Sequence, residues 1–172
     1  MDHFARLGLP AALDIEAAAL DRVYFALQRQ WHPDRFVTKP AEARARASSE
    51  AASLNEAYRT LKDPLSRAFY LAGLNGVDMP ADGKTIDDPD LLTEAMEARE
   101  ALHDATTPEA IDGLAEVARQ DLQKALAGLG SLFLANDKTA IRKALLRLRY
   151  LDKFAEEARA RRTNLERAKA KA

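Results

Sequence analysis

VYFALQRQWHPDRF, Val23 to Phe36, opens as a helix and ends as something else. Leu20, Val23, Tyr24, Leu27 and Trp31 recur at intervals of three and four, which predicts one apolar helical stripe. Pro33 stops it, because the residue before a proline is pushed out of helical geometry. A polar loop comes next, from His32 to about Pro40. A second stripe then runs through Ala47, Ala51, Leu54, Tyr58 and Leu61, on a helix expected from about Ala41 to Lys62. Two amphipathic helices with a short connection are expected to pack antiparallel, stripe to stripe, with His32-Pro33-Asp34 at the tip.

Around this hairpin the chain reads as all-α. It has 172 residues, 47% hydrophobic and 31% charged, with only 7 glycines and 7 prolines. Alanine, leucine, glutamate, arginine and lysine dominate, and these lose least on entering a helix. Asp14 is a candidate cap for the helix leading to the tip. Pro64 is placed to start a short helix ending near Leu74. Turn-forming residues crowd the stretch from Gly73 to Pro89, so the sequence predicts an N-terminal domain over 1–75, a linker over 76–88 and a C-terminal domain over 89–172. In the second domain Asp88-Pro89 and Thr107-Pro108 each pair a capping side chain with a proline at the first helical position. They predict helices to about Asp104 and Ala135, the second weakened near its end by Gly128 and Gly130. Asn136 or Asp137 would cap a third, carrying Ile141, Leu145, Leu148, Leu151 and Ala155. The expected product is a three-helix bundle, with a polar end, Arg159 to Ala172, that frays.

Composition removes several function classes. There is no cysteine, so no disulfide and no thiolate chemistry. No apolar run reaches the length of about 20 residues that spans a bilayer, and MDHFARLGLP lacks a signal-peptide core. We therefore expect a cytoplasmic protein without membrane contact. A net charge of −1 argues against nucleic-acid binding. The charge is unevenly spread: Asp78 to Asp104 holds nine acids against Lys84 and Arg99, whereas Lys138 to Lys171 is mainly basic. Two solvated faces that attract each other explain this simply.

The His-Pro-Asp tripeptide admits four readings. As a catalytic pair it lacks a nucleophile, and groups flanking a proline diverge. As a metal site it lacks company, since His3, His32 and His103 share no ligand spacing. We expect no enzyme activity, no metal and no cofactor. A plain turn remains, with Asp34 accepting backbone N–H bonds. So does a rigid contact surface, flanked by Arg29 and Arg35, that loses little loop entropy on binding.

Taken together, VYFALQRQWHPDRF and LNEAYRTLKDPLSRAFYL resemble a J-domain, the module by which co-chaperones stimulate the ATPase of DnaK-type chaperones. Ser66-Arg67-Ala68 stands where that family has a short basic motif. The resemblance implies chaperone binding through His32, Pro33, Asp34, Arg35, Arg29, Arg22 and Tyr24. Phe25, Ala26 and Gln30 fill positions that are often basic there, which implies a specialised partner. The Gly/Phe-rich stretch and cysteine-rich zinc sites of general J-proteins are missing.

With MDHFARLGLP at the start, DPDLLTEAMEAREALHDA and IRKALLRLRYLDKF resemble the HscB type of co-chaperone, which serves iron–sulfur cluster assembly. This implies two partners, a specialised DnaK-type chaperone of the HscA kind and an IscU-type scaffold protein. By the same resemblance Leu92, Met96, Glu97, Glu100 and Tyr150 would hold the scaffold. Pattern alone leaves two readings open for Leu92, Met96 and Tyr150. They are either the edge of a wide core stripe or an apolar patch bordered by carboxylates. Thr93 and Ala98 depart from the family's larger apolar residues, implying a narrower patch. A J-protein serving a general chaperone, or a helical adaptor whose tripeptide is incidental, are the rival functions.

Overall fold

The computed structural model describes residues 1–80 and 88–169. Among these all regular structure is helical, and the chain divides into two compact units, Met1–Asn75 and Gly76–Ala172.

The first unit begins with a single turn, α1 (His3–Arg6), whose N–H of Ala5 is capped by Asp2 at 2.8 Å. Phe4 and Leu7 are buried, and Arg6 reaches Glu50 at 2.7 Å. Next come α2 (Ala17–Trp31), a 3-10 turn (Pro33–Phe36), α3 (Ala41–Lys62) and α4 (Pro64–Leu74). Asp14 does not cap α2: the helix starts at Ala17 after Glu16, which makes no side-chain cap. Three alanines in its first turn propagate a helix without help, and Asp14 instead lends its charge to Arg67.

Cross-links between α2 and α3 run in opposite order along the two helices, which fixes the pair as an antiparallel hairpin. Asp21 Oδ1 accepts from Tyr58 Oη at 2.8 Å and Lys62 Nζ at 3.3 Å. Tyr24 donates to Asn55 Oδ1 at 2.8 Å and stacks on Tyr58, centroids 3.8 Å apart at 12°. Arg46 lies over the Trp31 ring at the other end. Leu20, Leu54, Ala57 and Leu61 fill the space between, closed by Ala68, Leu71 and Ala72 of α4. Arg67, in the short basic motif, is half-buried and donates to the Leu61 carbonyl at 2.8 Å. It closes the C-terminal end of α3, where a cation complements the helix dipole.

The second unit is built from α5 (Pro89–Asp104), α6 (Pro108–Ala135) and α7 (Lys138–Lys169). Each has the expected kind of cap. Asp88 accepts from Leu91 N–H at 3.1 Å, Thr107 from Ala110 at 3.2 Å and Asp137 from Ala140 at 3.0 Å. Between α6 and α7, Asn136 takes a left-handed conformation (φ 52°), which a short amide side chain tolerates. Gly128 and Gly130 lie within α6, which continues to Ala135, and Leu129 between them is fully buried. Leu91, Ala95, Leu102, Ile111, Leu146, Tyr150, Leu151 and Phe154 belong to one core.

Opposite charges link the helices in register. Lys143 meets Asp88 at 3.0 Å, Arg147 meets Glu94 at 2.7 Å and Arg99 grips Glu157 through two bonds of 3.0 Å, so α5 and α7 run parallel. Asp112 of α6 meets Arg162 of α7 at 3.2 Å, early residue against late, as antiparallel neighbours do. The acidic and basic stretches of the sequence thus attract each other within one bundle.

Candidate partner-binding surfaces

At the hairpin tip, Pro33 forces His32 out of the helix to φ −59°, ψ 129°. The chain then turns through Pro33–Phe36, held by Arg35 N–H on the His32 carbonyl at 3.0 Å. His32 Nδ1 accepts from the Asp34 N–H at 3.3 Å. An accepting Nδ1 leaves the ring proton on Nε2. The Asp34 carboxylate stands 3.5 Å from that ring and is 85% exposed. It therefore keeps its hydration and remains available to a cation from outside. Arg35 curls back, its guanidinium donating to the Arg29 carbonyl at 3.4 Å near the end of α2. Stacking of Trp31 on Phe36, 6.0 Å apart at 5°, braces the turn from below.

Not every residue assigned to this surface reaches it. Tyr24 is only 9% exposed, its ring stacked on Tyr58 and its hydroxyl shared between Asn55 and Gln28. It clamps the hairpin: the i, i+4 stripe to which it belongs is the buried one. Arg22 is exposed and pairs loosely with Glu16 at 3.9 Å. Arg29 is exposed as well. Among the described residues no cluster of three or more histidines and carboxylates is placed to hold a metal.

The second surface lies on α5. Leu91 and Ala95 face the core, while Leu92 and Met96, 37% and 64% exposed, project from it. Glu97 and Glu100 are exposed beside them and form no ion pair among the described residues. Their neighbours Glu94 and Arg99 are held in the pairs to α7. The result is an apolar ridge with free carboxylates along it.

Tyr150 departs from the expectation. It is 6% exposed, packed in the core against Phe154, 6.2 Å between centroids. Burial, with Glu94 next in effect, pushes its phenol up to about 12. The offset of Tyr150 from the Leu148/Leu151 stripe reflects a core stripe wider than two positions, since Leu146 is buried on that side too. Tyr150 supports α5 from beneath and does not present its ring. The pairs that hold α5 over it, Glu94–Arg147 and Arg99–Glu157, escaped sequence reasoning. They join residues 53 and 58 positions apart, and no local spacing signals them.

A sequence profile of the HSCB C-terminal oligomerisation domain matches residues 87–159. The co-chaperone protein HscB homolog of Cupriavidus taiwanensis is 41% identical over 159 residues, covering 91% of this chain and 90% of that protein. The chain belongs to the HscB co-chaperone family. Its fold agrees with that of two solved HscB structures. Chaperone HscB from Vibrio cholerae superposes with a TM-score of 0.83 at 31% identity, covering 96% of this chain and 99% of that one. Human co-chaperone HscB gives 0.87 at 26% identity, covering 93% and 81%. The all-α architecture, a J-domain followed by a C-terminal helical domain, is therefore that of HscB proteins. In HscB terms, the hairpin tip is the J-domain loop, and the ridge on α5 lies inside the stretch matched by the family profile.

Proposed function

We propose that this HscB-family protein is an adaptor for iron–sulfur cluster assembly. Residues 89–172 hold an IscU-type scaffold, residues 1–75 engage an HscA-type chaperone, and 76–88 connect them. The observation that carries the reading is the tip itself: an exposed Asp34 carboxylate on a braced turn, touched by the His32 ring but by no lysine or arginine among the described residues. Asp34, with His32, Pro33, Arg35 and Arg29 around it and Arg22 further back along α2, pairs with a basic group of the chaperone. It favours the state of that partner in which ATP is hydrolysed. Such an effect shifts a population and supplies no catalytic group. Couplings of this kind are of the order of 1–3 kcal/mol. On the other unit Leu92 and Met96 are buried by the scaffold while Glu97 and Glu100 meet cations at its rim. The protein acts in the cytoplasm.

Two variants separate the halves. Asp34→Asn removes stimulation of the chaperone's steady-state ATPase and leaves scaffold affinity, measured by calorimetry, as it was. Leu92→Ala with Met96→Ala weakens scaffold binding by about tenfold or more, since each exposed-to-buried methylene is worth about 0.8 kcal/mol. It leaves stimulation by the protein alone intact. Loss of the same activity in both variants would contradict the division of labour.

A further inference from the structure

A groove opens beside the tip, with a volume of about 310 Å³, lined by Gln30, Trp31, Phe36, Ala43 and Arg46. Its floor is apolar and aromatic, and its rim carries the Arg46 guanidinium, 5.8 Å from the Trp31 ring centroid. Residues 29–46 hold five basic side chains, Arg29, Arg35, Lys39, Arg44 and Arg46, against two acids, Asp34 and Glu42. None of the five makes an ion pair among the described residues. An apolar hollow edged by the Arg46 guanidinium, in a segment with a basic surplus, is complementary to an apolar side chain adjoining carboxylates.

We propose that this groove is a second docking point for the chaperone, taking an acidic segment that carries one large apolar side chain. The inference rests on the reading of the tip as the chaperone contact. Trp31 immediately precedes His32, and Phe36 comes directly after Arg35, so the groove adjoins the tip and lies within reach of a partner seated there. A nucleic acid fits less well, because a single guanidinium lines the groove and it is already engaged over the Trp31 ring. The chain's overall charge of −1 also disfavours it. The groove supplies affinity, whereas Asp34 supplies the stimulus.

Trp31 is the only tryptophan, so fluorotryptophan gives one fluorine NMR signal, placed in the groove. Addition of the ATP-loaded DnaK-type chaperone of the same organism should shift or broaden that signal. Arg46→Glu, which reverses the rim charge, and Ala43→Leu, which fills the hollow, should each raise the concentration needed for half-maximal ATPase stimulation about tenfold. The maximal rate should stay within about twofold, and circular dichroism should report a folded protein. Should Ala43→Leu not fold, Arg46→Glu decides. An unresponsive fluorine signal, or Arg46→Glu with unchanged half-maximal concentration, overturns the proposal, whether or not Asp34→Asn abolishes stimulation. A signal that responds to the scaffold or to the protein's own concentration, and not to the chaperone, overturns it too. If Asp34→Asn has no effect, the tip reading fails separately, and the response of Trp31 to the chaperone still decides the groove.

Discussion

Two tyrosines of this chain that family resemblance places among partner contacts are internal struts in the structure. Tyr24 closes the hairpin through stacking and two hydrogen bonds. Tyr150 fills the bundle core beneath α5. A phenol pushed up to about 12 by burial makes a measurable case. The folded state holds this proton more tightly than the unfolded chain, whose tyrosines titrate near 10. The associated stability is therefore full below about pH 10 and declines as pH rises towards 12. Tyr150→Phe should abolish that decline, read from chemical denaturation at several alkaline pH values. It should leave scaffold affinity within about twofold, because the ring that supports α5 remains. Tyr150→Ala should cost about 3 kcal/mol or more, the usual loss for an aromatic ring removed from a core. For Tyr150 the sequence could not separate strut from anchor, since a tyrosine one helical step from the main stripe is compatible with either.

Helix ends are where the reading of local chemistry succeeded best. Asp88-Pro89 and Thr107-Pro108 each unite an oxygen acceptor with a residue that needs no N–H partner, and both mark true starts. Asp63-Pro64 does the same for α4, with Asp63 accepting from Ser66 at 2.7 Å. Asp14 failed because a cap must sit where tertiary packing lets the helix begin, and that place is two residues further on. Hydrogen bonding from Leu91 N–H, then Lys143, holds the Asp88 carboxyl below the usual aspartate range. Its stabilising effect is present above the unfolded value of about 3.9 and is lost as pH falls through the lower folded value. Denaturation of the native protein and Asp88→Ala in parallel should give a stability gap that is constant near neutrality and closes in acid. A gap that does not narrow as pH falls would show that Asp88 acts by some means other than its charge.

For the whole molecule, the acidic and basic halves of the sequence were legible as attraction, whereas the actual partners were not. Glu94 meets Arg147 and Arg99 meets Glu157 only because three helices assemble in one register. These pairs are half exposed, and such pairs contribute about 0–1 kcal/mol each. Arg99→Met should therefore change stability by about 1 kcal/mol at most, measured by denaturant melts at low and moderate salt. It frees Glu157 without opening the core. A boundary between two helical units was also visible early, from a turn-rich interval between two periodic stretches. Which of Leu92, Met96 and Tyr150 emerge from the bundle was not, because a single helix does not reveal how wide an arc its neighbours cover.

Arg161, late in α7, donates to the carbonyls of His103 and Ala105, at the C-terminal end of α5. The tail of the chain thus acts as a latch on the helix that carries the Leu92–Met96 ridge. Proteolytic trimming upstream of Arg161 would release that latch while sparing every residue of the ridge, so a clip far from the ridge in sequence would loosen the helix on which it stands.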